Sequence, residues 1–167
     1  MKNHRYRVDV YAIKDGKILG TFTSSGIELP GGGIDAGESV EIAGKREMHE
    51  ESGYDGQNFK EVFIPGEWIC GLGSDIWLRE QGYTHEVHKA VKCDLGEFIG
   101  GNKYNVEGDG SVYTLICPKQ ILEECLASIN KGGLSERKLI IAQLRIAVIR
   151  NLFPNIVDGD PNIYLKW

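Results

Sequence analysis

Three glutamates lie within five residues of one short stretch, REMHEESGY, which runs from Arg46 to Tyr54. They are Glu47, Glu50 and Glu51. In a helix, side chains three or four positions apart are neighbours, and like charges at that spacing repel by about 0.2–0.5 kcal/mol per pair. A divalent cation would explain such a cluster, because grouped carboxylates are oxygen ligands that suit Mg²⁺ or Mn²⁺.

The direction in which these carboxylates point follows from helical geometry. The pattern from 39 to 52 is helical, and on a wheel of about 100° per residue Glu47 and Glu51 fall in the middle of one face, with Glu50 at its border. The rest of that face is small or apolar: Val40, Ala43, Gly44 and Met48. The opposite face carries a mixture that predicts solvation: Glu41, Lys45, His49 and Ser52. Carboxylates on an inward face need a compensating cation, and Arg46 alone cannot neutralise them.

The same residues belong to a longer pattern, GGIDAGESVEIAGKREMHEESGY, which begins at Gly32. This segment resembles the Nudix box, G-x5-E-x7-R-E-U-x-E-E-x-G-U, in which U is a bulky apolar residue. Every fixed position matches. Met48 and Tyr54 stand at U positions, where aliphatic residues are commoner. The preceding ELPGG is also similar to the family.

The resemblance to the Nudix hydrolases implies an α/β/α sandwich with a mixed β-sheet, in which the box forms a loop, a helix and a second loop. It implies hydrolysis of a nucleoside diphosphate linked to another group, with Mg²⁺ or Mn²⁺. The implied metal ligands are Glu47, Glu50, Glu51 and the backbone carbonyl of Gly31. Glu38 and Arg46 would form an ion pair that orients these carboxylates.

The general base is not fixed by the resemblance, because some family members use a box glutamate and others an acid from a later loop. In this chain Glu107 lies in such a segment, NVEGDGSVY, before a short predicted strand. A solvated turn acid is the ordinary interpretation of that residue. We therefore rank Glu50 and Glu47 ahead of Glu107 as the base.

The substrate is less well defined than the reaction class. Trp68 and Trp77 are candidates for stacking on a nucleobase, although aromatic residues in strand-like segments are more often core residues. The proline or tyrosine that marks some subfamilies beyond the box is absent. We expect a nucleoside triphosphate or a dinucleotide of the ADP-ribose type. A 5′-capped-RNA hydrolase and a non-catalytic nucleotide-sensing module are the alternatives.

The composition of the chain limits which other functions and cellular locations we expect. The chain has 167 residues and a formal net charge of −5, which argues against a stable nucleic-acid partner. No stretch predicts a signal peptide or a membrane span, so we expect a cytoplasmic protein. The four cysteines form no CxxC pair and no ligand-like group with the histidines, which predicts reduced thiols. His85 and His88 are predicted to lie on opposite faces of a strand, as surface or core residues.

Residues 1–167 are predicted to form a single domain of mixed strands and helices. Strands are predicted at 6–13, 17–23 and 59–64, with a glycine-rich loop between 26 and 39. The segments 67–73 and 74–80 suggest two further strands, followed by one at 85–95 and one near 112–117. Pro118 opens one helix and Ser135 caps another, whose apolar face belongs either to the domain's own core or to a homodimer interface.

Overall fold

The computed structural model describes residues 3–101 and 112–156. Within them, eight strands are present: β1 His4–Lys14, β2 Lys17–Thr23, β3 Gly26–Glu28, β4 Gly31–Gly33, β5 Tyr54–Glu61, β6 Ile69–Gly71, β7 His85–Phe98 and β8 Thr114–Ile116. The helices of the same residues are α1 Val40–Ser52, α2 Ile76–Glu80, α3 Pro118–Lys131 and α4 Glu136–Leu152.

All of these strands belong to one mixed sheet with β1 at its centre. The main order is β3-β2-β1-β7-β5, while β4 pairs with β1, β6 with β7 and β8 with β2. The β1–β7 pair is parallel and runs from His4 opposite His85 to Ile13 opposite Asp94. The other pairs are antiparallel. The predicted mixed sheet is therefore confirmed.

Alternation along β1 divides the core between the two faces of the sheet. Val8 and Val10 point to one face, where they pack with Met48 of α1 and Val91 of β7. Tyr11 points to the other face, into a cluster that the α3–α4 hairpin covers. Helices on both faces make the α/β/α sandwich that the resemblance implied. Most apolar residues of α4 belong to this domain's own core, including Leu144, Ile146, Val148 and Ile149. Leu139, Ile140 and Ile141, at the start of the helix, are half-buried.

Three segments differ from the prediction. The glycine-rich loop contains the short strands β3 and β4, because glycine imposes little side-chain bulk and β4 can pair directly with β1. The segment at 74–80 contains the helix α2, Ile76–Glu80, and not a strand. Asp75 caps it by accepting a hydrogen bond from the Leu78 amide at 3.0 Å, and Leu78 is buried. Strand β5 also begins earlier than predicted, at Tyr54.

One residue of α1 departs from the predicted wheel. Ser52 was expected on the solvated face but is buried, and its hydroxyl donates to the Met48 carbonyl at 2.6 Å. The helix ends directly afterwards at Gly53, whose left-handed φ of 73° turns the chain into β5. The start of β5 therefore covers this last turn. No helix in residues 3–101 and 112–156 is long and apolar enough to span a bilayer.

Candidate active site

Helix α1 presents the three clustered glutamates at a fixed position beside the sheet. Its first turn is capped by Ser39, whose hydroxyl accepts a hydrogen bond from the Ile42 amide at 3.2 Å. Gly44 lets the helix approach closely, because a Cβ at that position would lie 2.5 Å from Val91 Cγ1. The Ser39 cap and the close approach of the helix at Gly44 together fix the rotation of α1. They therefore determine the direction in which the glutamates of the next two turns point.

Arg46 connects the glycine-rich segment to the glutamate cluster. Its guanidinium donates two hydrogen bonds to the Glu38 carboxylate, both at 2.8 Å, and one to the Gly33 carbonyl at 2.9 Å. It also donates to Glu47 at 2.7 Å and lies 3.7 Å from Glu50. The ion pair between Glu38 and Arg46 that the resemblance implies is therefore present. Such a two-point pair fixes orientation better than a single charge contact does.

This ion pair leads to a prediction for acid stability. The hydrogen bonds from Arg46 lower the pKa of Glu38 to about 2, whereas an unfolded glutamate titrates near pH 4.3. The stabilisation is therefore complete above about pH 4.3 and is lost as the pH falls towards 2. We expect Glu38→Gln to lower the free energy of unfolding at pH 7, with a smaller difference from wild type at about pH 3. Urea titrations at both pH values measure this, and an equal loss at the two would contradict it.

Glu51 is a partly buried carboxylate of the cluster that has contacts to the glycine-rich segment and to Tyr113. It accepts a hydrogen bond from the Gly31 amide at 2.9 Å, and the Tyr113 hydroxyl lies 3.4 Å from the same oxygen. Burial raises the pKa of Glu51 to about 7, and the negative charge of Glu47 adds to the rise. Without a further cation, this carboxylate is therefore under-compensated at neutral pH.

Glu47 lies against the glycine-rich strand β4. A Cβ at Gly32 would lie 2.4 Å from the Glu47 carboxyl carbon, so any larger residue there would displace the Glu47 carboxylate from its present position. The side chains of Glu47 and Glu50 are both partly buried. The predicted inward direction of the glutamates therefore agrees with their observed burial.

The donor set fits a divalent metal ion. Glu47 and Glu50 both face Arg46, at 2.7 and 3.7 Å, and the charge of Glu47 acts on Glu51. Burial of Glu51, together with that charge, disfavours its ionised form unless a cation is bound. Oxygen donors of this kind suit Mg²⁺ and Mn²⁺. Gly31, whose carbonyl is the predicted ligand, is adjacent to this cluster, because its amide N–H donates a hydrogen bond to the Glu51 carboxylate. Glu107, the predicted extra acid, lies outside the described residues.

A cleft of about 830 Å³ opens beside the glutamate cluster, between the sheet and the α3–α4 hairpin. Glu51 and Gly31 form part of its wall, so cleft and carboxylates are continuous. The remaining lining combines charged and aromatic side chains, among them Arg7, Asp9, Phe22, Tyr113, Arg137 and Arg145. A volume of this size is typical of a small-molecule site.

Two arginines of the cleft differ in their pairing. Arg145 donates to Asp9 at 3.0 Å and to the Ile27 carbonyl at 3.0 Å, so its charge is compensated within the protein. Arg7 forms no ion pair with another residue of the part of the chain that the structure describes. Its charge nevertheless acts on Glu51 and lowers the pKa of that carboxyl, against the larger effect of burial.

The two tryptophans proposed for base stacking do not line this cleft. Trp68 packs against the core and donates its indole N–H to the Ile64 carbonyl at 3.0 Å. Trp77 lies on α2 with 61% of its surface exposed, and the Arg5 guanidinium is 5.8 Å from its ring centre. Among the residues that the structure describes, the aromatic ones lining the cleft are Phe22 and Tyr113.

Arg7 and Asp9 carried a sequence signal that was not used. They occupy alternate positions of a strand whose other positions, Val8 and Val10, are apolar. Alternation of this kind places the two charged side chains on one face of the sheet. Tyr113 and Arg145 gave no such signal, because the position of Tyr113 depends on how β8 pairs with β2, and that of Arg145 on how α4 packs against the sheet.

The sequence and the fold were compared with known proteins. The NUDIX domain profile matches residues 3–101, which is more than half of the chain. A comparison with curated proteins gave no significant match. Among solved structures, a MutT Nudix hydrolase from Burkholderia pseudomallei superimposes with a TM-score of 0.53 at 17% identity, covering 85% of this chain and 98% of the other. A Nudix hydrolase from Nitrosomonas europaea superimposes with a TM-score of 0.50 at 17% identity, covering 85% of this chain and 88% of the other.

The matched profile includes the whole box, and the two solved structures share the fold. Glu38, Arg46 and the three glutamates therefore lie within a family domain and not in an isolated helix. The chain belongs to the Nudix family, as a hydrolase that acts on phosphoric anhydride bonds.

Proposed function

We propose that this hydrolase uses Mg²⁺ or Mn²⁺ to cleave a nucleoside diphosphate linked to another group, of the nucleoside triphosphate or ADP-ribose type. The products would be a nucleoside monophosphate and a second phosphate-bearing compound. One observation carries the proposal: Glu51 belongs both to the carboxylate cluster and to the wall of the 830 Å³ cleft. A nucleotide in this cleft would therefore place its phosphates beside the candidate metal ligands.

The charges of the cleft support a polar, phosphate-bearing ligand. Arg7 lines the cleft and has no ion-pair partner among the described residues, so its guanidinium can donate to a phosphate oxygen. Phe22 and Tyr113 offer aromatic surface in the same cleft for a base. These three residues, and not Trp68 or Trp77, are therefore our candidates for substrate contacts.

The chemistry assigns distinct roles to the box residues. A metal ion held by Glu47, Glu50 and Glu51 would neutralise the pyrophosphate and lower the pKa of a nearby water. Glu50 or Glu47 would accept the proton of the attacking water. Arg46 would hold Glu47 in place through its 2.7 Å hydrogen bond. Displacement in line with the leaving oxygen then gives the two products.

Metal binding should be visible in stability. A ligand that binds only the folded state stabilises it by about 2.7 kcal/mol at one hundred times its dissociation constant. We therefore expect Mg²⁺ to raise the Tm of the wild-type protein, and to raise that of Glu51→Gln much less. Thermal melts with and without Mg²⁺, at ionic strength matched with NaCl, measure this. A wild-type Tm that does not respond to millimolar Mg²⁺ would contradict the proposed metal site.

The substrate is tested by a Mg²⁺-dependent hydrolysis screen with product masses. The panel contains nucleoside triphosphates, ADP-ribose, NADH, dinucleoside polyphosphates, nucleotide sugars and 5′-capped RNA, with Glu50→Gln as the control. One small nucleotide hydrolysed well above the rest would support the proposal and identify the phosphorus attacked. Preference for capped RNA would replace it with the RNA-directed alternative. Tight nucleotide binding without turnover would instead indicate a sensing module.

A further inference from the structure

Three potential metal ligands meet on the sheet outside the box. Cys70 lies on β6 opposite Glu86 of β7, and His88 follows two residues later on the same face of β7. All three side chains are buried, with exposed fractions of 1%, 1% and 5% for Cys70, Glu86 and His88. The sequence predicted no group of cysteine with histidine. The prediction was wrong because the pairing of β6 with β7 brings Cys70 next to His88, although the two residues are eighteen positions apart in the sequence.

The ligand atoms converge on one point. His88 Nε2 lies 3.6 Å from Cys70 Sγ and 3.1 Å from Glu86 Oε1, and one atom from each of the three residues lies within 4.8 Å of the others. Bond lengths of about 2.3 Å to sulfur and 2.0–2.2 Å to nitrogen and oxygen give tetrahedral zinc ligands an S···N separation of about 3.5 Å and an N···O separation of about 3.4 Å. The observed separations are close to both values.

The same geometry argues against a catalytic relay. In a relay, one ring nitrogen of the histidine contacts the thiol and the other contacts the carboxylate. Here the same nitrogen, Nε2, faces both Cys70 and Glu86. One nitrogen cannot pass a proton between two partners in this way, whereas a metal ion among the three atoms would use it as a ligand.

Glu86 supplies an independent observation. Its Oε1 accepts a hydrogen bond from Arg137 Nε at 2.7 Å, but its Oε2 is buried and has no hydrogen-bond partner among the described residues. A buried carboxylate oxygen without a partner is costly and calls for an ion or a water. The unsatisfied oxygen belongs to the residue whose other oxygen already faces His88.

We propose that Cys70, Glu86 and His88 bind a divalent transition-metal ion of the Zn²⁺ class, at a site separate from the box glutamates. Thiolate and imidazole ligands select such an ion over Mg²⁺ or Mn²⁺. Glu86 also lines a cavity of about 330 Å³, together with Gly71, Asp75 and Glu136. A water that enters from this side could serve as the fourth ligand. Since this proposal uses none of the box residues, it stands or falls independently of the proposed function.

The surroundings also suit a dication. Arg137 would remain hydrogen-bonded to Glu86 and orient it, as partners of metal-ligating carboxylates do. Glu136 lies beside the group, where it accepts a weak hydrogen bond from the Gly71 amide at 3.3 Å. A dication and the Arg137 guanidinium carry three positive charges. The Cys70 thiolate, Glu86 and Glu136 carry three negative charges, so the net charge of the group would be zero. Because Arg137 also lines the catalytic cleft, the site would fix one of that cleft's walls.

Cobalt absorption tests the site directly. The full-length protein is stripped with a chelator and titrated with Co²⁺ in excess Mg²⁺, which keeps Co²⁺ from the oxygen ligands of the box. We expect about one equivalent to bind, with the visible bands of tetrahedral Co²⁺ and a near-ultraviolet thiolate-to-cobalt band. Cys70→Ser should abolish the thiolate band. Cys93→Ser is the matched control, because Cys93 is a similarly buried free thiol outside the group, and it should retain the band.

Further variants test the roles of Arg137 and His88, and one of them replaces Cys70→Ser if that variant does not fold. Arg137→Met should weaken binding by about 10–100-fold, the usual effect of losing a supporting partner, and His88→Gln by more. If Cys70→Ser does not fold, the triple variant Cys93→Ser/Cys117→Ser/Cys125→Ser leaves Cys70 as the only thiol, and it must keep the band. No thiolate band in the wild type, its persistence in Cys70→Ser, or its loss in the triple variant would overturn the proposal.

Discussion

Glu50→Gln is expected to lower kcat by about 10²–10⁴-fold, the usual contribution of a positioned acid or base. Glu50 is partly buried beside Arg46 and stands three residues from Glu47 on the same helix. Glutamine keeps the size of the side chain but can neither accept the proton nor carry the negative charge. Steady-state hydrolysis of the best substrate from the panel, at saturating Mg²⁺, measures the loss.

The fold should survive this change. Removing one charge from the cluster relieves like-charge repulsion of about 0.2–0.5 kcal/mol per neighbouring pair. We therefore expect metal-free Glu50→Gln to be as stable as metal-free wild type, or slightly more stable. If the variant unfolds under conditions in which the metal-free wild type is folded, the carboxylate has a structural role and the assignment is wrong.

Glu41→Gln is the matched control on the same helix. Glu41 lies outside the cluster and accepts a hydrogen bond from the Glu61 amide at 3.1 Å, a bond that the glutamine oxygen can still accept. It removes the same charge from α1 and should leave kcat nearly unchanged. Equal losses in Glu41→Gln and Glu50→Gln would show that the net charge of the helix matters rather than the carboxylate at position 50.

The box was predictable because its signals are local. Glutamates at fixed spacing on one helix face, Ser39 as the cap and Gly53 as the helix end all act within a few turns of chain. Helical periodicity therefore sufficed to predict the inward direction of Glu47 and Glu51. The exception is Ser52, which is buried and whose hydroxyl accepts a hydrogen bond from the amide of Tyr54, the first residue of β5, at 3.3 Å. That partner lies beyond the helix and is not read from helical periodicity.

The cleft and the buried ligand group were not predictable in the same way. Arg145 reaches Asp9 across 136 positions of chain. Cys70 reaches His88 only through the pairing of β6 with β7. Such contacts depend on strand register and on where the helices cross the sheet, which residue spacing alone does not specify. The same limit explains why the sequence suggested Trp68 and Trp77 as stacking residues and gave no indication of Phe22 or Tyr113, which line the cleft.

Arg145→Met is expected to lower the free energy of unfolding by about 3 kcal/mol, at the low end of the 3–5 kcal/mol typical of breaking a buried ion pair. The Arg145 side chain is only 14% exposed and compensates Asp9, which lies beside the fully buried Tyr11. Methionine would fill much of the volume but leave the Asp9 charge without its partner. Urea titration measures the loss, and a value below 1 kcal/mol would contradict the expectation.

Two further variants separate charge from packing. Lys138→Met removes a cation from an exposed position of the same helix, and a surface change of this kind should stay within about 0.5 kcal/mol of wild type. The double variant Asp9→Asn/Arg145→Met removes both charges of the pair. If it recovers most of the stability lost in Arg145→Met, the unpaired Asp9 carboxylate accounts for the loss. If it recovers none, the loss comes from the Arg145 hydrogen bond to the Ile27 carbonyl at 3.0 Å and from the packing of α4 on the sheet.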